Sequence, residues 1–213
     1  MAQLRTRGSS ARHRTPTLEV TGSVVQAALR IIADEGADAV TVRRLAGEAD
    51  VAPMTIYNRF GDMHGVFDAV FEHGFTVFVE RLRVTNPSGD PVADLHSMGL
   101  AYRSFAVESP DLYEFMFLNF AIDLEPSDRS SLVAAQAFDV LFSLVSRALD
   151  MQKFRPASAS VVAQQIWSTC HGAVALELMG IAKFADPEET YNSLLVTLLR
   201  GLLKNPEESA ALV

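Results

Sequence analysis

Cysteine and tryptophan are almost absent from the 213 residues, since Cys170 and Trp167 are the single representatives of their types. One cysteine excludes an internal disulfide framework, which favours a reducing cytoplasm as the location. No stretch approaches the ~20 uninterrupted apolar residues that a membrane helix needs, because polar residues interrupt even the most apolar one, 161–181. The arginines near the N-terminus are not followed by an apolar stretch. We therefore expect no secretory signal and no membrane partner.

Motifs that carry enzymatic chemistry are also missing. The sequence has no phosphate-cradling glycine loop, no nucleophile elbow and no zinc-type cluster of cysteine and histidine. His64, Asp68 and Glu72 follow one another at intervals of four, which would suit metal ligands on one helix face, but carboxylates at this spacing are typical of a solvated face. We expect no catalytic residue, no metal and no cofactor, and a small helical enzyme is the least favoured interpretation.

Charge is distributed unevenly along the chain, whose net charge is −8. Residues 1–60 hold eight arginines and six acidic residues, a net charge of +2, whereas residues 61–213 hold ten basic and twenty acidic residues, a net charge of −10. A polyanion would be attracted to the first part and repelled by the second. This asymmetry is compatible with DNA binding through the N-terminal part alone.

Apolar residues recur at intervals of three and four nearly everywhere after residue 16, which predicts an all-α protein of nine helices. Gly36 supplies a stop for the first helix, and Thr41 and Asp62 are suitable N-caps for the second and fourth. Pro53 stands where the first turn of the third helix tolerates proline. The clearest break lies at 86–91. The helices beyond it are predicted at about 91–108, 110–120, 128–150, 157–182 and 187–203.

The pattern divides the chain into three parts. Residues 1–16 contain four arginines and form a basic arm that we expect to be flexible, either an idle leader or a segment that follows DNA. Residues 17–62 hold three helices, of which the last two are joined by the tight turn of a helix-turn-helix. Such a helix fits the major groove of B-DNA and presents its first residues to base edges. To residues 63–213, a larger helical domain, we assign ligand binding and dimerisation.

One extended pattern covers residues 24–67. It comprises Ala27-Ala28-Leu29 with Glu35-Gly36, then Thr41-Val42-Arg43-Arg44-Leu45-Ala46, then residues 49–60, and finally Asp62 with Val66-Phe67. With this spacing the segment resembles the DNA-binding domain of the tetracycline-repressor (TetR) family. The resemblance implies a transcriptional regulator, by family precedent a repressor. It would bind a palindromic double-stranded DNA operator as a homodimer and be released by a small effector molecule.

The resemblance also implies which residues meet DNA. The first residues of the second helix would hold phosphates and set the register, the start of the third helix would lie at the groove, and its later polar residues would meet the backbone. The predicted set is Thr41, Arg43, Ala52, Pro53, Met54, Thr55, Tyr57 and Asn58. Ala52 stands where the family often has a hydroxyl residue, and Met63 where it commonly has a lysine. These departures remove phosphate contacts.

Neighbouring residues are assigned other roles. Ile56 and Phe60 are predicted to face the core of the DNA-binding domain. Arg44 and Arg59 are predicted to be exposed, either as DNA contacts or as solvated surface charge. The carboxylate of Asp62 would compete with phosphate for the amides at the start of the fourth helix.

The C-terminal part resembles a TetR regulatory-domain subgroup that is described by a Trp-His-Gly signature. The matching stretches are Ser104-Phe105-Ala106, residues 109–117, Trp167 with His171-Gly172, and Leu176-Glu177-Leu178. Aromatic and methionine side chains here would suit a small apolar effector, with Asn119, Gln164 or His171 to orient it. Plain core packing is the alternative for each of them. The predicted ligand contacts are Met98, Tyr102, Phe105, Phe117, Phe120, Trp167 and His171.

Two helices, 157–182 and 187–203, are the predicted dimer face. Gly172, Ala173 and Ala175 would permit close approach, and the second helix carries a leucine stripe at 194, 195, 198, 199 and 202. The main alternative function is a helical ligand-binding protein without DNA binding, which the departures at Ala52 and Met63 would suit.

Overall fold

The computed structural model describes residues 17–83, 88–118, 124–181, 186–205 and 207. Within these ranges the chain forms nine α-helices and no β-strand, as predicted, with one isolated antiparallel bridge between Phe154 and Leu203. The basic arm, 1–16, lies outside the described residues. The helices are α1 (Thr17–Glu35), α2 (Val42–Glu48), α3 (Pro53–Phe60), α4 (Met63–Leu82), α5 (Pro91–Glu108), α6 (Pro110–Phe117), α7 (Asp128–Asp150), α8 (Ala159–Leu178) and α9 (Pro187–Leu202).

The first three helices form a small core of their own. The inner side of α1 packs against α2 through the buried side chains of Ala28, Ile31 and Leu45. Thr41 caps α2 as predicted, because its Oγ1 accepts a hydrogen bond from the amide of Arg44 at 3.3 Å. The turn to α3 places Asp50 in the left-handed region, at φ 52°. Asparagine and aspartate tolerate this conformation better than most residues, so the tight turn predicted between the two helices forms here.

Helix α4 connects the DNA-binding part to the larger body. Asp62 caps it as predicted, since its carboxylate accepts a hydrogen bond from the amide of Gly65 at 3.0 Å. Along its 20 residues α4 contacts α1, α3, α5, α6 and α7. Its buried side chains include Val66, Val70 and Phe78, which belong to one continuous core. A shift of α4 therefore affects both parts of the molecule.

The larger body is built around α5. This helix contacts α4, α6, α7, α8 and α9, and a Cβ atom on Gly99 would overlap the side chain of Leu195 on α9. Asp94, only 1% exposed, accepts hydrogen bonds from Ser88 and forms an ion pair with Arg147 of α7 at 2.8 Å. The start of α5 is thereby fixed to α7.

Several helix ends differ from the sequence prediction. Helix α8 spans Ala159–Leu178 instead of 157–182, because Gly180 takes a positive φ of 66° and its amide bonds back to the carbonyl of Glu177 at 3.0 Å. Helix α6 ends at Phe117 instead of residue 120. A 3₁₀ turn at Ala37–Ala39, absent from the prediction, joins α1 to α2.

Helix α7 departs from the expectation about membrane segments. In the described part of the chain it is the one helix long and apolar enough, by length and composition, to cross a membrane. The helix packs along α4, α5 and α8, but only 22% of its apolar window is buried.

Candidate DNA-binding surface and internal aromatic site

The predicted DNA contacts lie on the open side of α2 and α3. Seven of the eight residues are exposed and Thr55 is half-buried, and the exposure of Met54 is 64%. Ile56, between them, is fully buried and holds α3 on the core, as predicted. Phe60 is partly buried and also packs against the core. The structure thus presents a short helix whose outer side is available to a partner, while the assignment of individual contacts stays a prediction.

The arginines of this part differ in their partners. Arg44 forms an ion pair with Glu35 and a longer one with Glu48 at 3.9 Å, and Arg30 binds Glu48 at 2.8 Å. The hydrogen bond and charge of Glu35 raise the pKa of Arg44. By contrast, Arg43 is exposed and forms no ion pair within the described ranges.

The N-termini of α3 and α4 differ in their side-chain caps. Ala52 precedes α3 and supplies no side-chain cap, so the departure from the family pattern leaves that end without a hydroxyl. At α4 the Asp62 carboxylate already occupies the amide of Gly65, which is the competition with phosphate expected from the sequence.

Arg59 is exposed, as predicted, and it also has a hydrogen-bond partner. Its Nε donates a hydrogen bond to the hydroxyl of Thr21 on α1 at 2.5 Å. The side chain therefore links the end of α3 back to α1.

An aromatic cluster fills the centre of the larger body. Phe78 lies 5.3 Å from Tyr102 between ring centroids, 4.9 Å from Phe105 and 5.5 Å from Phe117. Trp167 and His171, one helical turn apart on α8, stack with nearly parallel rings at 6.5 Å. The structure thus brings together five predicted ligand contacts: Tyr102, Phe105, Phe117, Trp167 and His171.

Three polar groups meet inside this cluster. The hydroxyls of Tyr102 and Tyr113 lie 2.7 Å apart, and each lies 2.9 Å from Nδ1 of His171. Burial raises the pKa of both tyrosines and lowers the pKa of His171. All three groups are therefore uncharged at neutral pH. We call them the polar trio.

A cavity of about 10 Å³ lies beside Tyr102, which is the one member of the polar trio in its wall. This is room for about one water molecule and too little for a larger ligand. The predicted contacts Met98, Tyr102 and Trp167 are in its wall, which also comprises Leu82, Gly99, Ala137, Leu141, Ile166 and Cys170. Phe120 and Asn119 lie outside the described residues.

Sequence reasoning missed Tyr113 as a site residue, although it stands in one of the stretches that carry the family resemblance. Tyr113 is fully buried, and a buried tyrosine hydroxyl needs a hydrogen-bond partner. A tyrosine within an apolar helix face was therefore the signal that could have indicated a polar site in the core. Gln164, suggested as an orienting group, is exposed and donates to Ser168, so this suggestion is wrong.

The acidic and histidine residues at intervals of four on α4 have a structural role. Nε2 of His64 accepts a hydrogen bond from the amide of Glu125, Asp68 binds Ser127, and Glu72 pairs with Arg129. They stay at least partly exposed, as expected for a solvated face, and also join α4 to the segment that starts α7. Among the residues that the structure describes, no group of three histidine, cysteine or acidic side chains could hold a metal.

Comparison with known proteins follows the division of the chain. Residues 24–70 match the family of bacterial regulatory proteins of the tetR type, and residues 95–198 match the tetracyclin repressor-like C-terminal domain. An uncharacterised HTH-type transcriptional regulator of Mycobacterium tuberculosis is 25% identical over 183 residues, which cover 84% of this chain and 80% of that protein.

Solved structures share the fold. A protein of unknown function from Rhodococcus sp. RHA1 superposes with a TM-score of 0.80 at 23% identity, covering 92% of this chain and all of that one. The regulator FadR of Bacillus subtilis, solved in complex with stearoyl-CoA, superposes with a TM-score of 0.69 at 20% identity, covering 85% and 98%. The Trp-His-Gly subgroup stays a prediction. With both of its parts matched, over more than two thirds of its length, the chain belongs to the TetR family of DNA-binding transcriptional regulators.

Proposed function

We propose that the protein is a cytoplasmic repressor that binds a palindromic operator as a homodimer and is released from it by a small apolar effector. The observation that carries the proposal is the pair of sites joined by α4. At one end lies the exposed side of α2 and α3, and at the other lies an aromatic cluster with a polar trio at its centre. A regulator needs two such sites with a shared element between them.

The DNA-binding role is supported by exposure and charge. Met54, Tyr57 and Asn58 project from α3 away from the core that Ile56 anchors. Arg43 offers a cation that no acidic side chain neutralises among the described residues. Base edges in the major groove are read by such side chains, while phosphates are held by cations and amides.

Dimerisation is supported by an apolar outer side of α8 and α9. Val161, Leu176, Met179 and Leu194 are exposed, and Gly172 faces open space. An open groove of about 630 Å³ runs between the two helices. The leucine stripe predicted on α9 is only partly available, because residues 195 and 199 are buried in the core of the same chain.

Two copies joined on this face would present two recognition helices. These must enter successive major grooves about 34–36 Å apart, so a small change in subunit tilt weakens operator binding.

Helix α6 supplies a route from the effector to the DNA-binding part. It carries Tyr113 of the polar trio and Phe117 of the aromatic cluster, and it contacts α1 and α4. Because the cavity has room for only about one water molecule, an effector has to displace side chains around it. The effector then favours an opened arrangement, and only this difference in affinity shifts the population away from DNA binding. The stearoyl chain of the ligand bound to FadR supports an apolar effector, while the CoA part of that ligand is charged.

Selection of binding sites from random DNA tests the repressor against the ligand-binding module. We expect a palindrome with half-sites one helical turn apart. Thr55→Ala and Asn58→Ala should each weaken binding to it by about 1–3 kcal/mol where a base contact is lost, with unchanged thermal stability. If no sequence is enriched, the protein is a ligand-binding module without DNA binding. Only the turnover of a bound ligand would then support the enzyme interpretation.

A further inference from the structure

In the described part of the chain, the three polar side chains that meet inside the aromatic cluster are uncharged. We propose that the effector site is selective for uncharged, mainly apolar molecules with one hydroxyl or carbonyl oxygen, which the polar trio binds, and that it rejects ionised acids and amines of the same size. This inference rests on the proposed effector site and names the chemical class of its ligand.

Hydrogen bonding within the trio leaves capacity for one more oxygen. Nδ1 of neutral His171 either accepts a hydrogen bond from one of the two hydroxyls within 2.9 Å or, in the other tautomer, donates one to a hydroxyl oxygen. In both tautomers at most one hydroxyl hydrogen is used by the histidine. The other hydroxyl is free to direct its hydrogen to the first oxygen or to a ligand carbonyl. Its own oxygen keeps acceptor capacity for a ligand hydroxyl. The trio can therefore donate a hydrogen bond to a ligand carbonyl or accept one from a ligand hydroxyl.

Among the residues that the structure describes, no unpaired cation lies beside the trio to bind an anionic ligand. Arg103 follows Tyr102 on α5, but its guanidinium is held by both carboxylate oxygens of Glu177, at 2.7 and 2.9 Å, and by Glu188 at 3.8 Å. The Cys170 thiol in the cavity wall stays protonated, because burial raises its pKa. An ionised ligand would therefore lose its hydration without a counter-charge, and that desolvation is far more costly than the loss of one hydrogen bond.

The apolar part of the ligand would occupy an enlarged version of the present cavity. Its wall comprises leucine, isoleucine, alanine and Met98 side chains beside Trp167. Methionine is unbranched and adapts its shape readily, so Met98 is suited to move aside. With about 10 Å³ available at rest, short chains are the appropriate probes.

The test compares three molecules of equal length in the full chain at pH 8: 1-octanol, octanoate and octylammonium. Trp167 is the single tryptophan and lies in the cavity wall, so its fluorescence reports occupancy without DNA. We expect octanol to bind at least about tenfold more tightly than either ion, since each tenfold corresponds to roughly 1.4 kcal/mol. Equal or tighter binding of octanoate would overturn the proposal. So would unchanged Trp167 emission up to the solubility limit of octanol.

Variants separate a binding role from a purely structural one. Tyr113→Phe and Tyr102→Phe should each weaken octanol binding roughly three- to tenfold, as expected for one lost hydrogen bond. The control is Ser130→Ala, which removes a buried hydroxyl that accepts a hydrogen bond from Ser127 at 3.1 Å, away from the cavity wall. It should lower thermal stability without changing octanol affinity. If all three variants change octanol binding equally, the trio is only structural.

DNA binding is measured separately, by gel shift on the selected operator without octanol. A protein that binds octanol in preference to octanoate but selects no DNA retains this inference and loses the proposed function. A protein that selects an operator but does not bind octanol in preference to octanoate overturns this inference and retains the proposed function.

Discussion

The Asp68 carboxylate of α4 accepts hydrogen bonds from both the backbone amide and the hydroxyl of Ser127, each at 2.9 Å. Burial opposes ionisation of this carboxyl, but the hydrogen bonds from Ser127 and Ser130 outweigh it and lower its pKa. Ser127 is the N-cap of α7. The DNA-proximal half of α4 is therefore bound to the first turn of α7, which packs against α8 in the effector-binding body.

Removing this link tests whether it stabilises the joint between the two parts. Asp68→Ala should lower the free energy of unfolding by about 1–3 kcal/mol, because two donors lose a charged acceptor. It should also raise the effector concentration needed to release DNA. Urea unfolding and gel shifts with effector measure the two effects. Glu80→Ala on the same helix is the control, because Glu80 is exposed and forms no hydrogen bond or ion pair with the other described residues. Equal behaviour of the two variants would argue against the link.

Gly65 is required where α3 meets α4. A Cβ atom at this position would overlap the backbone carbonyl oxygen of Phe60, which has little freedom to move. Gly65→Ala should therefore reorient α3 and cost about 1–3 kcal/mol of stability, with weaker operator binding. Gly22→Ala in α1 meets no atom within 4 Å and should be neutral or stabilising by about 0.5–1 kcal/mol. Thermal unfolding and gel shifts distinguish them, and an unaffected Gly65→Ala variant would contradict the expected clash.

The architecture could be predicted because its signals are local. Caps such as Thr41 and Asp62 and the apolar periodicity act within a few residues, so element order and most boundaries followed directly. The end of α8 was misplaced, because the positive φ at Gly180 outweighed the apolar residues beyond it.

Contacts between distant elements could not be predicted in the same way. The sequence showed Tyr102 and His171 as separate candidates, but their meeting with Tyr113 depends on how α5, α6 and α8 cross. The same holds for Asp68 and Ser127, which are 59 residues apart. Periodicity indicates which face of a helix is buried without indicating what packs against it.

Adjacent arginines on α2 provide a test of the DNA-binding surface. Arg43 has no ion-pair partner in the described part of the chain, whereas Arg44 is paired with Glu35. Arg43→Ala should weaken binding to all DNA sequences alike and reduce the slope of log affinity against log salt by about 1. Arg44→Ala should change this slope less. A larger effect at Arg44 would show that its ion pair opens on DNA.

Asp94 should make stability depend on pH. Burial disfavours its ionised form, but hydrogen bonds from Ser88 and Arg147 outweigh this and lower its pKa. A depressed carboxyl pKa contributes stability above the unfolded value of about 3.9, and that contribution is lost as pH falls through the folded value. Asp94→Asn should therefore destabilise the protein more at pH 7 than at pH 3 in urea unfolding. Asp139→Asn, an exposed control on α7, should show no such difference, and a pH-independent loss at Asp94 would contradict the role of its charge.

Two leucine-to-glutamate substitutions test the dimer face. Leu176 on α8 and Leu132 on α7 are both exposed, at 44% and 68%, but only Leu176 lies on the helix that we assign to the interface. A glutamate at Leu176 would bury a charge without a partner in the dimer, so this variant should sediment as a monomer. Its affinity for the full palindrome should fall sharply, because one recognition helix reads only a half-site.

Leu132→Glu, the control, should remain dimeric and bind the operator normally. Circular dichroism checks that both variants stay folded. If Leu132→Glu yields monomers and Leu176→Glu does not, the partner binds along α7 and the assigned interface is wrong.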